Sequence, residues 1–303
     1  LYDHGTMTDL GTLQGGINSE AEAINDRSQI VGRSEINSLG DGFPEILQGF
    51  IWARGIMQSL GALYCPCSYN VRYGTSAAHG INNFNQVAGW SETVRGGWVL
   101  HALLWQQHTL QDIGGGAGDW SISRAFDIND TGQLVGDNAQ DAGRMTSYER
   151  HASLWQDGVR QDLGILPGYS SSTALAINDR GQVVGWSGSF DGTIARAFRW
   201  EQGRMQDLGT LPGDANSMAR DINVFGQTVG WSGTSKTVDS HAVLWDRDRA
   251  QDLNAVLPSG SGWILTEAVA INALGQIAGN GLYNGEAHAF LLQPGYQPAS
   301  WPR

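Results

Sequence analysis

Short apolar-rich segments of period-2 character recur along almost the whole chain, with small and larger residues alternating in Ser172-Thr173-Ala174-Leu175-Ala176-Ile177 and a companion segment reading Gln182-Val183-Val184-Gly185-Trp186-Ser187. A period of two marks strands with one buried face, and no segment holds an apolar period of 3.6 over a useful length. The pattern predicts an all-β chain. Four segment types recur in fixed order. Segment d ends in Asp-Leu-Gly (Met205 to Gly209), and segment a runs from Ser172 to Asn178. Segment b is Gln-Val-Val-Gly-Trp-Ser at its fullest, and segment c is His-Ala-apolar-Leu-Trp, as in His101 to Trp105.

The period is long. An Ile-Asn pair followed four residues later by Gln recurs with its asparagine at 25, 82, 129, 178, 223 and 272, at separations of 57, 47, 49, 45 and 49 residues. That is the size of a four-stranded unit. The link from a to b, Asn-x-x-Gly, suits a hairpin whose last loop residue is left-handed, which Gly132, Gly181, Gly226 and Gly275 allow and Asn85 tolerates. Ser28 is the exception.

Six units predict a six-bladed β-propeller over residues 1–293 and a tail at 294–303. The C-terminal unit lacks a d segment and the N-terminus has one spare. The expectation is therefore a closed ring in which Met7–Gly11 pairs with the unit from Thr266 to Leu292. The turns a-to-b and c-to-d are short and uniform. The connections d-to-a and b-to-c vary widely in length and carry the expected functional face.

Composition narrows the function. With 30 acidic against 18 basic residues and a net charge of -12, the chain repels phosphate backbones and anionic lipid, so no nucleic-acid partner is expected. No apolar run is long enough for a membrane span. A chain that opens on Leu1 without a basic-then-apolar leader is expected to be a processed product.

The residues His288-Ala289-Phe290, Asp207-Leu208-Gly209 and Ala176-Ile177-Asn178-Asp179 resemble the bacterial HAF-type extracellular repeat family, from Tyr2 to about Leu292. The other c segments are variants, such as Gln48-Gly49-Phe50 and Arg196-Ala197-Phe198. The resemblance implies secretion or cell-surface display and transfers no catalytic residues.

Comparison among the six copies separates scaffold from specialisation. Trp52, Trp105, Trp155, Trp200 and Trp245 share one position, and Trp90, Trp186 and Trp231 share another, so these are read as packing residues. The histidines at 101, 151, 241 and 288 share the start of segment c and are read as polar caps on nearby backbone groups rather than a metal ring. Outside the repeat stand Tyr73, Arg95, Trp98, Trp120 and Arg124, which are candidate ligand-binding residues because aromatic planes with guanidinium donors suit a glycan or a protein partner. A second candidate set, Glu20, Glu22, His79, Arg220 and Glu267, occupies variable positions of segment a; if that strand is innermost, these side chains meet at the channel mouth. Asp127 and Asp221 stand out at a neighbouring position that holds Ala or Gly in the other copies.

No nucleophile elbow, metalloprotease helix motif or phosphate-binding loop is present. For Cys65-Pro66-Cys67 a local disulfide or free thiols are favoured over a soft-metal site, and no metal or cofactor is expected. The preferred function is a secreted, non-catalytic module binding carbohydrate or an extracellular protein. The alternatives are a polysaccharide lyase or hydrolase with its site at the channel mouth, and a structural subunit of an extracellular assembly.

Overall fold

The computed structural model describes residues 1–3, 5–36, 46–63, 74–93, 99–115, 122–139, 149–189, 193–234, 239–247 and 249–294. After a short hairpin of β1 (Tyr2–Asp3) and β2 (Thr6–Met7), the first four-stranded sheet comprises β3 (Ser19–Ile24), β4 (Ile30–Ile36), β5 (Ile46–Ala53) and β6 (Ile56–Gly61). The second comprises β7 (Ser76–Ile81), β8 (Val87–Thr93), β9 (Val99–Gln106) and β10 (Thr109–Asp112). The third comprises β11 (Ile122–Ile128), β12 (Leu134–Ala139), β13 (Arg150–Gln156) and β14 (Val159–Gly164). The fourth comprises β15 (Ser171–Ile177), β16 (Val183–Gly188), β17 (Ala195–Glu201) and β18 (Arg204–Asp207). The fifth comprises β19 (Asn216–Ile222), β20 (Thr228–Gly233), β21 (Ser240–Asp246) and β22 (Arg249–Asp252). The last has three strands, β23 (Trp263–Ile271), β24 (Ile277–Tyr283) and β25 (Glu286–Leu292), preceded by one 3₁₀ turn at Leu253–Val256.

The protein is therefore all-β, with six antiparallel sheets of four or three strands in the predicted a, b, c, d order. The chain divides into two compact units, Leu1–Tyr148 with Leu154–Gln161, and Glu149–Ser153 with Asp162–Arg303. In the first unit Val31, Ile51, Ala78, Ile81, Val87 and Trp105 are buried in one core, and Ala88, Ala125, Ile128, Leu134 and Trp155 in the next. In the second unit Val184, Ala219, Ile222, Val243 and Trp245 form the corresponding core. The c-strand tryptophans are buried as predicted, with Trp155 only 1% and Trp200 8% exposed.

The Asn-x-x-x-Gln signature has a physical cause. In each a-to-b turn the Asn carboxamide closes the loop: Asn82 Oδ1 accepts from the backbone N–H groups of Phe84 and Gln86, and its Nδ2 donates to Gln86 Oε1 at 2.7 Å. The second Nδ2 proton reaches the next sheet, since Asn25 donates to the carbonyl of Asn82 and Asn82 to that of Asn129. The second unit repeats the link from Asn178 to Asn223 and from Asn223 to Asn272. The residue closing each turn is left-handed, including the predicted exception, Ser28, at φ 57 and Asn85 at φ 68.

A serine at the start of strand a supplies a second link. Ser76 Oγ accepts from Gly49 N–H and donates to the Gly61 carbonyl, while Ser217 Oγ does the same with Ala197 and Gly209. The small residue in His-Ala-Phe and the glycine in Asp-Leu-Gly are thus the two backbone partners of a neighbouring sheet's serine. The carboxylate of Asp-Leu-Gly closes its own turn, as where Asp162 Oδ1 accepts from Gly164 N–H at 2.8 Å.

The structure differs from two expectations. Thr6–Met7, expected to add to the C-terminal unit, is paired with Tyr2–Asp3 in a local hairpin, and the last sheet has three strands. The local hairpin satisfies these groups instead: the Leu1 amino group donates to the Thr8 carbonyl at 2.7 Å and Thr8 N–H donates to the Leu1 carbonyl. The c-strand histidines are also not backbone caps; His101 and His151 put Nδ1 2.7 and 2.8 Å from Asp112 and Asp162 of the adjacent d strand. Arg196 takes the same place opposite Asp207.

Replacing Ser28 with Gly is expected to raise stability by about 0.5–1 kcal/mol, because it relieves a non-glycine residue of a left-handed backbone. Replacing Asn178 with Ala is expected to cost at least ~2 kcal/mol by leaving buried turn amides unpaired. Urea unfolding of both variants checks the pair; a neutral Asn178→Ala would mean that the turn carboxamide does not hold the sheets.

Candidate functional site

The a strands position the candidate site through one shared irregularity. Each is bulged against its b strand, with the register shifting around Glu22, His79, Phe126, Leu175 and Arg220, and around Val269 in the last sheet. A bulge re-aims the extra residue's side chain. The repeated b-strand glycine makes it possible: a Cβ on Gly89 would run into the carbonyl oxygen of Ala77, and one on Gly136 into that of Arg124. Scaffold and site therefore share one backbone feature, with the bulge residue free to differ from copy to copy.

In the first unit three such strands bring unlike side chains together. The Arg33 guanidinium holds Glu20 at 2.9 and 2.5 Å, and Arg124 grips the wholly buried Asp137 carboxylate at 3.1 and 2.5 Å. Arg124 also lies over the Phe126 ring, 5.0 Å from its centroid, and His79 stands 5.5 Å from the same ring. Glu22 Oε1 approaches His79 Nδ1 at 4.0 Å. All of these but Asp137 keep part of their side chain open to solvent.

His79 fixes the protonation pattern. Its Nε2 is 3.0 Å from Trp90 Nε1, and an indole nitrogen only donates, so Nε2 must be the acceptor and the proton sits on Nδ1, facing Glu22. Burial first, then the Arg33 and Arg124 charges, bring its pKa down to about 4 against the pull of Glu20. At neutral pH the imidazole is uncharged, so the short approach to Glu22 is a polar contact and no ion pair. Burial, reinforced by Glu20, raises the Glu22 carboxyl above the ordinary range, with Arg33 acting the other way.

In the second unit Arg220 Nε donates to Glu267 Oε1 at 2.6 Å, joining β19 to β23. Beside it Asp221, half-buried, accepts from Ile222 and Ile271 N–H at 2.7 Å each, and burial raises its pKa despite these two bonds. Asp127 occupies the equivalent place in β11, accepting from Ile128 N–H and lying where a Cβ on Gly80 would fall. These two carboxylates brace strands rather than serve a ligand.

Of the predicted residues, the structure brings Glu20, Glu22, His79 and Arg124 into one cluster and pairs Arg220 with Glu267. Tyr73, Arg95, Trp98 and Trp120 lie outside the described residues, as do Cys65 and Cys67. Trp263 is committed to local packing, with Tyr283 at 5.2 Å and His288 at 6.1 Å. Sequence reasoning missed Phe126, Trp90, Arg33 and Asp137. Phe126 holds the same bulge position as Glu22 and His79, which was the available signal; Trp90 looked like a repeated packing residue.

No family model matches the sequence, and no curated protein matches it. Among solved structures the chain is similar to a triple arginine-to-alanine mutant of AofleA from Arthrobotrys oligospora, at 11% identity and a TM-score of 0.43, over 94% of this chain and 93% of that one.

The His79 imidazole is expected to titrate near 4 by NMR, and Trp90→Phe to move that midpoint upward by removing the donor to Nε2. Because the folded value lies below the ordinary 6.5, the unfolded chain binds the proton more readily between the two values. Stability should thus decline as pH falls from about 6.5 toward about 4, and His79→Gln should flatten that slope in a pH series of denaturant midpoints.

Proposed function

We propose that the protein is a non-catalytic carbohydrate-binding module, with the cluster around Phe126 as part of its binding surface. The observation that carries this reading is the half-open Phe126 ring flanked by the Arg124 guanidinium and the neutral His79 imidazole. A sugar ring offers C–H groups to an aromatic face and hydroxyls to fixed donors and acceptors around its rim. The bidentate hold of Asp137 on Arg124 fixes the guanidinium before any ligand arrives, which limits the ordering cost of binding. Glu20 and Asp137 are engaged by guanidinium groups, an arrangement suited to positioning rather than to paired acid and base chemistry on a glycosidic bond. The HAF-type resemblance supports a secreted or cell-surface setting, where such a module meets glycans.

The proposal includes closure of the six sheets into one propeller. Within each unit the a strands that follow another sheet are clasped by it, whereas the first a strand and the last c strand have matching positions uncovered. Ile24 is 55% exposed where its counterparts Ile81, Ile128, Ile177, Ile222 and Ile271 are 4–8% exposed. Ala289 is exposed where Ala102, Ala152, Ala197 and Ala242 are fully buried. Ser19 Oγ already donates to the Gly11 carbonyl, the bond that a strand-a serine makes to the preceding Asp-Leu-Gly turn. A closed ring would give Ile24 and Ala289 the cover that the repeat gives their counterparts.

A glycan array combined with a polysaccharide-degradation assay tests the binding reading. Binding without turnover is expected, with Phe126→Ala and Arg124→Ala each weakening it by about 1–2 kcal/mol. Turnover, or binding indifferent to both variants, would overturn it. For closure, hydrogen exchange should protect the amides of Ser19–Ile24 as strongly as those of Ser76–Ile81; rapid exchange confined to the first strand would show an open chain end.

A further inference from the structure

The end of the sheets that carries the uniform short turns is not featureless. Between the second and third sheets of the first unit lies a cleft of about 470 Å³, bounded by the a-to-b turns at Phe84 and Asp130 to Gly132 and by the c-to-d turn at Asp157 and Gly158. Its walls carry carboxamides: Gln86, Gln106 and Gln111 from one sheet and Gln156 from the other. Its floor includes Leu104, Leu134 and Trp155, and Phe84, 65% exposed, stands at its lip.

The carboxamides form an oriented row. Asn82 Nδ2 donates to Gln86 Oε1 at 2.7 Å, Gln86 Nε2 to Gln106 Oε1 at 2.8 Å, and Gln106 Nε2 to Gln111 Oε1 at 3.4 Å. Across the cleft Gln133 Nε2 donates to Gln156 Oε1 at 3.0 Å. A primary amide has two protons and two lone pairs, so each wall glutamine held this way retains a donor and an acceptor side by side. That is the pattern a pair of adjacent hydroxyls matches.

Charge selects further. Among the described residues lining the cleft, the ionisable side chains are Asp130 and Asp157, with no Lys, Arg or His. A carboxylate or sulfate ligand would meet repulsion without a counter-charge, whereas uncharged hydroxyls meet donors, acceptors and an aromatic edge.

We propose that this cleft is a second saccharide site, taking a single neutral hexose residue through its vicinal hydroxyls, with Gln86, Gln106 and Gln156 as hydrogen-bonding residues and Phe84 as the stacking surface. It is separate from the Phe126 cluster, and its hydrogen-bonding residues are carboxamides where that cluster is built on ion pairs.

The test is an NMR titration of the ¹⁵N-labelled full chain with glucose, galactose, mannose and N-acetylglucosamine, and with glucuronate as the anionic control. At least one neutral sugar should shift the side-chain amides of Gln86, Gln106 and Gln156, with glucuronate at least about tenfold weaker. Phe84→Ala and Gln106→Leu should each weaken that titration about tenfold. Arg124→Ala should leave it unchanged, which separates this site from the Phe126 cluster. Phe84 is largely exposed, so its variant keeps the fold, checked by its tryptophan fluorescence. The site fails if no neutral sugar moves those amides, if glucuronate binds as tightly, or if both cleft variants titrate like the parent.

Discussion

The sheets are held in sequence by one recurrent constraint: a turn carboxamide that cannot satisfy itself within its own hairpin. Asn25, Asn82, Asn178 and Asn223 each use the side-chain oxygen on two backbone amides and one proton on the following glutamine, and the other proton goes to a carbonyl of the next sheet. Backbone amides at tight turns must find partners when buried, so loss of the carboxamide would strand several groups at once. The strand-a serines repeat the device at the other end of the sheets. Spacing between sheets is consequently set by hydrogen-bond length as much as by side-chain bulk, which is why the interior can rely on alanine and valine between its tryptophans.

That constraint leaves the bulge residue of strand a unused by the scaffold. The b-strand glycine admits the neighbouring carbonyl, the bulge turns one side chain outward, and selection can place Glu, His, Phe, Leu, Arg or Val there without disturbing the links on either side. The Phe126 cluster is what three such positions produce when adjacent. Its charges are matched within the protein, so the ligand meets ordered groups rather than bare ions. His79 is neutral because burial and two arginines oppose its protonation and because Trp90 occupies Nε2 as a donor.

The two ends of the sheets are also unlike in a way their loops conceal. Uniform turn length gives the short-turn end no mark of a binding surface in the sequence. Yet single turn positions are filled differently from copy to copy, as at Arg27, Phe84, Thr131 and Leu274, while the turn geometry stays intact. Length variation marks where a backbone can change; side-chain variation on a fixed backbone is equally available for recognition.

The sequence by itself determined the all-β class, the four-strand unit, its sixfold repetition, the left-handed turn positions and the burial of the c-strand tryptophans. Each of these is local, set by a period of two, a turn geometry or a position repeated too often to be a single-use site. It also singled out Glu20, Glu22, His79, Arg124, Arg220 and Glu267 because they break the repeat. Only the tertiary structure decided which of them meet, that Arg220 is spoken for by Glu267, that Phe126 and Trp90 belong beside His79, and that His101, His151 and His241 face aspartates instead of backbone. Those outcomes depend on which strands lie side by side and how a bulge turns a side chain, and a linear pattern carries neither distance nor direction across sheets.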